Sequence, residues 1–316
     1  MRLLLAFVAV LAVWIEPCLA QVYWTQETIA GNPSAPTAIH RTTLDGGSTQ
    51  IFIDGLNHPT DIVIDRPAGF IYWTESIGDV IRRASLDGSG AQTLVGVNSP
   101  ERLVTSSGAN AMYWTGDGKL YHATLQGNST AILADPASPV RQAEIMALDK
   151  GSQSGAIYYV ESEYLVRAGT TSWVGQVFRF DAGQFSTKQY VTELGGSRPI
   201  SIAVDEVNSH LYWSTDAGQI YRRSLGDQST IVVSEGQYSR DLFVDYNGNK
   251  LWWTWEQGPG GQSPVGGISS VSLQGGAISS FSVPFRPQGI WVVPEPTALA
   301  LASLASFAVM CLRASS

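Results

Sequence analysis

Four histidines are the first residues to consider for chemistry, because imidazole is the commonest metal ligand and a frequent general base. They are His40, His58, His122 and His210. They are distributed over much of a chain of 316 residues, and no two of them have the short spacing that places paired ligands on one metal ion. The sequence therefore predicts no metal site and no catalytic histidine.

Two further stretches approach known chemical sites without matching them. Asp245–Asn249 resembles the opening of a calcium loop, and Glu256 falls at the twelfth position. However, Gly248 stands at the fourth position instead of the sixth, and β-forming residues occupy the middle of the loop. Gly261–Val265 lacks the final glycine of a nucleophile elbow. We therefore expect no bound calcium, no serine nucleophile and no cofactor.

The elements that position these residues come from a repeat. An apolar-Tyr-Trp-Thr run recurs, in places degraded, with successive copies 40 to 54 residues apart: Val22–Thr25, Ile71–Thr74, Met112–Thr115, Ile157–Val160, Leu211–Ser214 and Leu251–Thr254. Most copies follow an apolar stretch that ends in Asp, and they precede a strand that ends in a tight turn, often Asp-Gly. A fourth apolar stretch completes the unit. Four strands in a period of this length are typical of a β-propeller blade.

The two chain ends of the repeat region complete one another. The first run has no apolar strand before it, whereas Arg286–Val293 is an apolar strand with no run after it. The predicted fold is all-β: a six-bladed β-propeller with four-stranded blades, closed by pairing the C-terminal inner strand with the N-terminal blade. Such closure removes the open sheet edges that invite aggregation. The tryptophans of the runs are expected to pack between blades: Trp24, Trp73, Trp114 and Trp213.

The repeats resemble the class B (YWTD) repeats of the low-density lipoprotein receptor family, over Gln21–Val293. The aspartate that follows Tyr-Trp-Thr in that family is absent from every unit here. Its position holds Gln26, Glu75, Gly116, Glu161, Thr215 and Trp255. The resemblance therefore implies the fold and does not carry over the family's ligand specificity.

In propellers of this family, the loops before the inner strands and the loops after the aromatic strands share one face. Three of the latter are predicted to be long: Gln26–Thr37, Glu161–Gln176 and Trp255–Gly267. The predicted ligand-binding residues on this face are His58, Glu101, Arg102, Glu144, Tyr164, Trp173, Arg198, Arg240, Asp241, Trp255 and Arg286. Arginine and exposed aromatics suit protein interfaces, and aromatics with polar neighbours suit sugar rings. The alternative is that these loops are variable surface without a ligand.

Two functions fit these features. The first is a non-enzymatic binding or scaffold module, whose ligand is an extracellular protein or polysaccharide. The second is a six-bladed propeller enzyme of the lactonase or polysaccharide lyase type, for which Glu101, Glu144 and Asp241 are the acids at the channel mouth. Because no motif with a defined mechanism occurs, we favour the binding module over an enzyme.

The N-terminus and the composition indicate an exported protein. Residues 1–20 resemble a secretory signal, with Arg2, an apolar core and cleavage after Ala20. A net charge of −8 without a basic patch argues against nucleic acid as a partner. The only cysteines are Cys18 and Cys311, so residues 21–293 must be stable without a disulfide.

Residues 294–316 form the last recognisable segment. A Pro-Glu-Pro box (Pro294, Glu295, Pro296) precedes an apolar run and a basic residue, Arg313. This order resembles a PEP-CTERM sorting signal with a hydrophobic helix. The resemblance implies a Gram-negative-type bacterium, recognition by an exosortase-type membrane protease and delivery to the cell surface or the exopolysaccharide matrix. The alternative is an ordinary C-terminal membrane anchor, in which case the chain stays attached to the membrane.

Overall fold

The computed structural model describes residues 20–27, 37–135, 143–148, 155–167, 170–257, 265–284 and 286–293. The strands of this part of the chain form six four-stranded antiparallel sheets. Residues 1–19 of the predicted secretory signal and residues 294–316, the predicted sorting signal, lie outside the described residues. No helix within the described ranges is long and apolar enough to cross a membrane.

Each sheet is one blade, numbered one to six from the N-terminus. Blade one contains β24 (Arg286–Val293), β1 (Gln21–Glu27), β2 (Ala38–Thr43) and β3 (Gln50–Ile53). Blade two contains β4 (Pro59–Asp65), β5 (Phe70–Glu75), β6 (Val80–Ser85) and β7 (Gln92–Gly96). Blade three contains β8 (Pro100–Ser106), β9 (Ala111–Gly116), β10 (Lys119–Thr124) and β11 (Ala131–Ala134).

The second half of the chain repeats this arrangement. Blade four contains β12 (Ala143–Leu148), β13 (Ala156–Arg167), β14 (Thr170–Asp181) and β15 (Gln184–Gly196). Blade five contains β16 (Pro199–Asp205), β17 (His210–Thr215), β18 (Gln219–Ser224) and β19 (Thr230–Glu235). Blade six contains β20 (Tyr238–Asp245), β21 (Lys250–Glu256), β22 (Val265–Ser272) and β23 (Ser279–Pro284).

The aromatic runs form the second strand of each blade, as predicted. Five consecutive residues of β5 are buried, because both faces of the strand pack against neighbouring sheets. The third and fourth strands, such as β6 and β7, become progressively more exposed toward the rim. Trp24, Trp73, Trp114 and Trp213 are all buried, which confirms their predicted packing role.

The ring closes as the sequence predicts. In blade one, β24 pairs antiparallel with β1, so that Val292 lies opposite Val22 and Ile290 lies opposite Trp24. The last strand of the ring therefore becomes the innermost strand of the first blade. This pairing confirms the six-bladed, all-β propeller and its closure by the two ends of the repeat region.

The threonine of the run joins neighbouring blades. The Thr74 hydroxyl accepts the Asp61 N–H at 2.9 Å within its own blade and donates to the Glu101 carbonyl at 3.0 Å in the next blade. Thr254 likewise donates to the Gln288 carbonyl at 2.6 Å. A buried hydroxyl that donates and accepts at once satisfies backbone groups of two sheets, which gives a reason for threonine at this position.

Inner strands also bond directly to one another near the axis. Asp61 accepts the N–H of Leu103 in the next blade at 2.7 Å, and Asp241 accepts the N–H of Ile290 at 2.8 Å. In β24 the corresponding residue is Gly289. A Cβ on Gly289 would lie 2.5 Å from Asp61 Oδ1, so only glycine allows this close approach of blades one and two.

Blade four differs from the prediction. The segment Glu161–Gln176, predicted to be a loop, is mostly strand: residues 161–167 of β13 pair with residues 170–176 of β14. Residues 192–196 of β15 extend alongside. We call these three strand segments the extended ribbon. The loop prediction was wrong because the segment begins with polar residues, Glu161-Ser162-Glu163, and shows no apolar pattern. Its strands are held by pairing with each other and do not bury an apolar face of the sheet.

In the described part of the chain, strands extend into the other two segments that were predicted to be long loops. The strand β1 continues to Glu27, two residues into the first predicted loop. In blade six, β21 continues to Glu256 and β22 begins at Val265, so Trp255 belongs to a strand. Residues 28–36 and 258–264 lie outside the described part of the chain.

Candidate binding face

One face of the ring collects the starts of the inner strands and the ends of the second strands, and we call it the channel face. His58 and Arg198 immediately precede β4 and β16, and Arg286 is the first residue of β24. Each of the three is followed by a proline, so they occupy the same register position in three blades. The fold therefore brings basic side chains to equivalent places around the channel mouth.

A chain of ion pairs runs across blades six, one and two, and we call it the charged arc. Arg240 donates to Glu256, and Arg286 Nε lies 2.9 Å from the second carboxylate oxygen of Glu256. Arg286 also lies 3.6 Å from Glu27, whose carboxylate is 2.6 Å from His58 Nε2. Acids and bases alternate along the arc, so each buried carboxylate has a cationic neighbour.

The environment of Glu27 shifts its proton affinity. Burial by itself raises the pKa of this carboxyl group, but the hydrogen bond with His58 and the charges of His58, Arg286 and Arg240 act more strongly in the opposite direction. The net pKa of Glu27 is therefore below its ordinary value. His58 Nδ1 lies 2.9 Å from the Ser76 hydroxyl, which orients the ring toward Glu27.

Arg102 spans the central channel. It lies in β8 of blade three, and its guanidinium donates to the Arg240 carbonyl at 2.6 Å in blade six, on the opposite side of the ring. It also lies 3.9 Å from Asp241. Asp241 is buried and accepts from the Ser201 hydroxyl at 3.1 Å and from the Ile290 N–H. The channel centre is therefore occupied by a paired arginine and aspartate.

Aromatic side chains stand on the extended ribbon. Tyr164 and Trp173 lie opposite each other on β13 and β14, with ring centroids 5.2 Å apart. The Arg198 guanidinium lies 5.1 Å from the Trp173 ring centroid, within cation–π range. Tyr164 is 36% exposed. We call these three residues the ribbon cluster. Blades four and five carry it, so it lies across the channel mouth from the charged arc.

The remaining predicted site residues do not join either group. The Glu101 side chain is exposed, while its carbonyl accepts from Thr74. Glu144 lies in β12, and its side chain is outside the described part of the structure. Trp255 is partly buried against the core shared by blades five and six, and its indole covers Gly267 so closely that a Cβ there would lie 2.4 Å from Cζ2.

Sequence reasoning missed two members of the charged arc, Glu27 and Glu256. Both occupy the second position after the threonine of the aromatic run, in Thr25-Gln26-Glu27 and Thr254-Trp255-Glu256. Because the two glutamates share this position in adjacent blades, the sequence alone could have predicted that their side chains lie close together. The resemblance to YWTD repeats points only to the position directly after threonine, where those repeats have aspartate.

The histidines other than His58 are packed against aromatic rings. The His40 and Trp24 rings stack with centroids 5.2 Å apart, and burial lowers the pKa of His40 to about 4. Burial also lowers the pKa of His122 and of His210. Among the described residues, no group of three or more His, Cys, Asp or Glu is arranged to hold a metal ion.

The fold defines this protein as a six-bladed β-propeller, and its repeats are similar to those of the YWTD type. No family model matches the chain. A low-density lipoprotein receptor-related protein 1 from Pyricularia oryzae is 27% identical over 198 residues, covering 55% of this chain and 62% of the relative. The human low-density lipoprotein receptor-related protein 5-like protein is 42% identical over 65 residues, covering 20% of this chain and 26% of the relative. The chain thus matches less than two thirds of the length of each.

Solved structures share the fold at low sequence identity. The nidogen/laminin complex contains a chain that is 16% identical, with a TM-score of 0.63, covering 87% of this chain and 99% of that chain. A putative 6-phosphogluconolactonase from Bacteroides fragilis is 11% identical, with a TM-score of 0.55, covering 87% of this chain and 98% of that chain. At these identities the similarity establishes the architecture alone, which is shared by binding proteins and enzymes.

Proposed function

We propose that the chain is an exported, non-enzymatic binding or scaffold propeller that holds an extracellular polymer on its channel face. The observation that carries this proposal is the extended ribbon, which brings the ribbon cluster to the channel mouth opposite the charged arc. Aromatic rings stacked with an arginine offer flat contact area to a sugar ring or to a peptide side chain. A polysaccharide of the surrounding matrix is the ligand we favour, with a protein as the alternative.

The partners of the buried acids Glu256 and Asp241 favour a binding function over catalysis. Both carboxylate oxygens of Glu256 face arginines, and both oxygens of Asp241 accept hydrogen bonds. An acid held in this way is oriented by structural partners and is not directed at a substrate as a general acid or base has to be. The enzyme alternative, a lactonase or a polysaccharide lyase, would have to rely on acids outside these pairs, such as Glu101.

The proposed location is the surface or exopolysaccharide matrix of a Gram-negative-type bacterium. Residues 1–20 would direct export, and Pro294, Glu295 and Pro296 would present the tail to an exosortase-type protease. The check is the Pro294→Ala/Glu295→Ala variant, produced in a bacterium that has an exosortase. We expect the variant to remain at its full mass in the membrane fraction while the wild type is shortened. Identical processing of both chains would contradict this part of the proposal.

Ligand binding is tested by sedimentation with the insoluble exopolysaccharide of the producing organism. We expect wild type to co-sediment saturably and Trp173→Ala to lose up to about tenfold in affinity, since an aromatic contact contributes roughly 0.5–1.5 kcal/mol and about 1.4 kcal/mol is tenfold. Tyr190→Ala is the matched control, because Tyr190 is an exposed aromatic of the same blade on its outer strand.

Three outcomes count against the proposal. Equal binding by Trp173→Ala and wild type would remove the ribbon cluster from the site. Absence of binding by folded wild type would turn the search to protein partners. Hydrolysis of a lactone, abolished by Glu101→Gln and retained in Trp173→Ala, would favour the enzyme alternative.

A further inference from the structure

A second concavity lies between blades one and six, on the side of the ring opposite the channel face. The groove has a volume of about 400 Å³. It lies where β2 ends and β21 begins, and we call it the rim groove. Its lining residues are Leu44, Asp45, Lys250, Trp252, Ser270, Ser279, Ser280 and Phe281. No member of the charged arc or of the ribbon cluster contributes to it.

The wall of the rim groove is fixed by a close contact between the two blades. The turn after β2 contains Gly46, whose φ of +78° is in the left-handed region. A Cβ on Gly46 would lie 2.6 Å from the Phe281 ring of blade six. The glycine therefore allows the ring to rest directly on the turn backbone, which sets Phe281 beside Asp45.

Polar groups of both donor and acceptor type line the groove. Asp45 is held in place by the Thr43 hydroxyl at 2.5 Å and the Gly47 N–H at 3.0 Å, both of which bond to Oδ1. On the blade-six side, the Lys250 ammonium lies 5.3 Å from the Trp252 ring centroid. Ser270, Ser279 and Ser280 add three hydroxyls, of which Ser270 is buried.

We propose that the rim groove binds a neutral sugar ring of a glycan. A carboxylate, an ammonium and hydroxyls together match a ligand whose own hydroxyls donate and accept at neighbouring positions. The partly buried ring of Phe281 suits the C–H face of a pyranose, whereas Trp252 is buried behind it. The volume lies near the lower end of the roughly 300–1,000 Å³ range of small-ligand pockets, which limits the occupant to one or two rings.

The charge of the groove selects against other ligands. One acid and one base give the lining no net charge, so for a phosphate or a uronate the attraction to Lys250 is offset by the repulsion from Asp45, while the anion still loses its hydration. A wholly apolar ligand would cover the Ser270 hydroxyl and the Lys250 ammonium without bonding to them, which is unfavourable. A neutral polyhydroxyl compound avoids both costs.

The test is titration of the purified full chain with methyl α-D-glucopyranoside, methyl β-D-galactopyranoside and methyl α-D-mannopyranoside, followed by saturation-transfer NMR. We expect saturable binding of at least one glycoside, weakened at least tenfold in Asp45→Asn. Asp87→Asn is the matched control: Asp87 bonds in the same way to Ser89 in the turn after β6, outside the groove. It should bind as wild type does.

A second variant addresses the shape of the site. Ser279 is exposed, so Ser279→Trp should fold normally while it fills the groove and abolishes binding. Trp173→Ala should leave glycoside binding unchanged, which separates this site from the one on the channel face. The proposal is overturned if none of the three glycosides binds, if Asp45→Asn and Ser279→Trp both bind normally, or if sodium glucuronate binds more tightly than the neutral glycosides.

Discussion

At the scale of single residues, Trp73 shows how the repeat is built without the aspartate that YWTD repeats have after threonine. The position after threonine holds Glu75, whose longer side chain accepts the Trp73 indole N–H at 2.9 Å. Arg82 lies 3.3 Å from the same carboxylate. In blade four, Tyr159 donates to Glu161 at the same offset. A buried ring with a polar edge thus keeps its acceptor where an acid remains at that position.

Trp73→Ala should lower the free energy of unfolding by about 3–5 kcal/mol, because it empties a large fully buried volume between blades one and two. Urea unfolding followed by circular dichroism measures the change. Tyr190→Ala provides the control, since 58% of that side chain is exposed and its loss should change stability by less than about 0.5 kcal/mol. A loss of under about 1 kcal/mol in Trp73→Ala would show that the site is not packed as described.

His40 should make stability depend on pH. Its pKa falls from its unfolded value of roughly 6.5 to about 4 in the folded chain, so the unfolded state binds a proton more readily. The contribution is fully present above pH 6.5 and is lost as the pH falls toward 4, by about 3 kcal/mol in total. His40→Phe, which keeps a ring on Trp24, should remove this slope between pH 7 and pH 4.5 in urea unfolding. Parallel pH profiles for the variant and wild type would contradict it.

At the scale of elements, the extended ribbon is the part of the fold that is least involved in the core. Val160, Val177 and Leu194 anchor its base in the core cluster between blades four and five. Beyond that base, Tyr164 is exposed and Trp173 is only partly buried. The ribbon therefore depends on backbone pairing with itself, and the blade does not depend on the ribbon.

Replacing residues 163–174 by Asn-Gly should leave the propeller folded, because Ser162 and Gly175 lie opposite each other and a two-residue turn can join them. We expect the melting temperature to change by less than about 5 °C, and exopolysaccharide binding to be lost. Circular dichroism and the sedimentation assay measure the two effects. A loss of cooperative unfolding would show that the ribbon is part of the core.

The strands that the sequence predicts correctly are those whose buried side chains recur in every blade. The runs around Trp24 and Trp73 have a fixed register because each residue packs between two sheets. The ribbon was predicted to be a loop because its strands have no buried face to impose a pattern. His58 and Arg286 lie at the channel mouth, but their pairing with Glu27 depends on the angle between blades, which a one-dimensional pattern does not contain.

At the scale of the whole molecule, stability depends on closing the ring. The strand β24 covers β1 and contacts the inner strands of blades two and six, with Ile290 and Val292 buried. Its Ile290 N–H is the donor to buried Asp241. Loss of β24 would therefore expose apolar surface on three blades and leave a buried carboxylate without one of its donors.

A chain that ends at Pro284 should melt more than about 10 °C below a chain that ends at Val293, or fail to unfold cooperatively, because several buried side chains are lost at once. Differential scanning calorimetry of the two chains measures this. The chain ending at Val293 is the control for loss of the tail. Equal melting temperatures would mean that the ring does not need its closing strand.

The pairing of β1 with β24 also sets the order of events when the protein is made. The Gly289 N–H bonds to Thr25 across 264 residues, so β1 is among the first strands to leave the ribosome and the last to gain its inner partner. Blades two to six can assemble as they emerge, since each is continuous in sequence. Blade one must wait with an unpaired edge until β24 has been made. The nascent chain is therefore most exposed to misassembly in blade one.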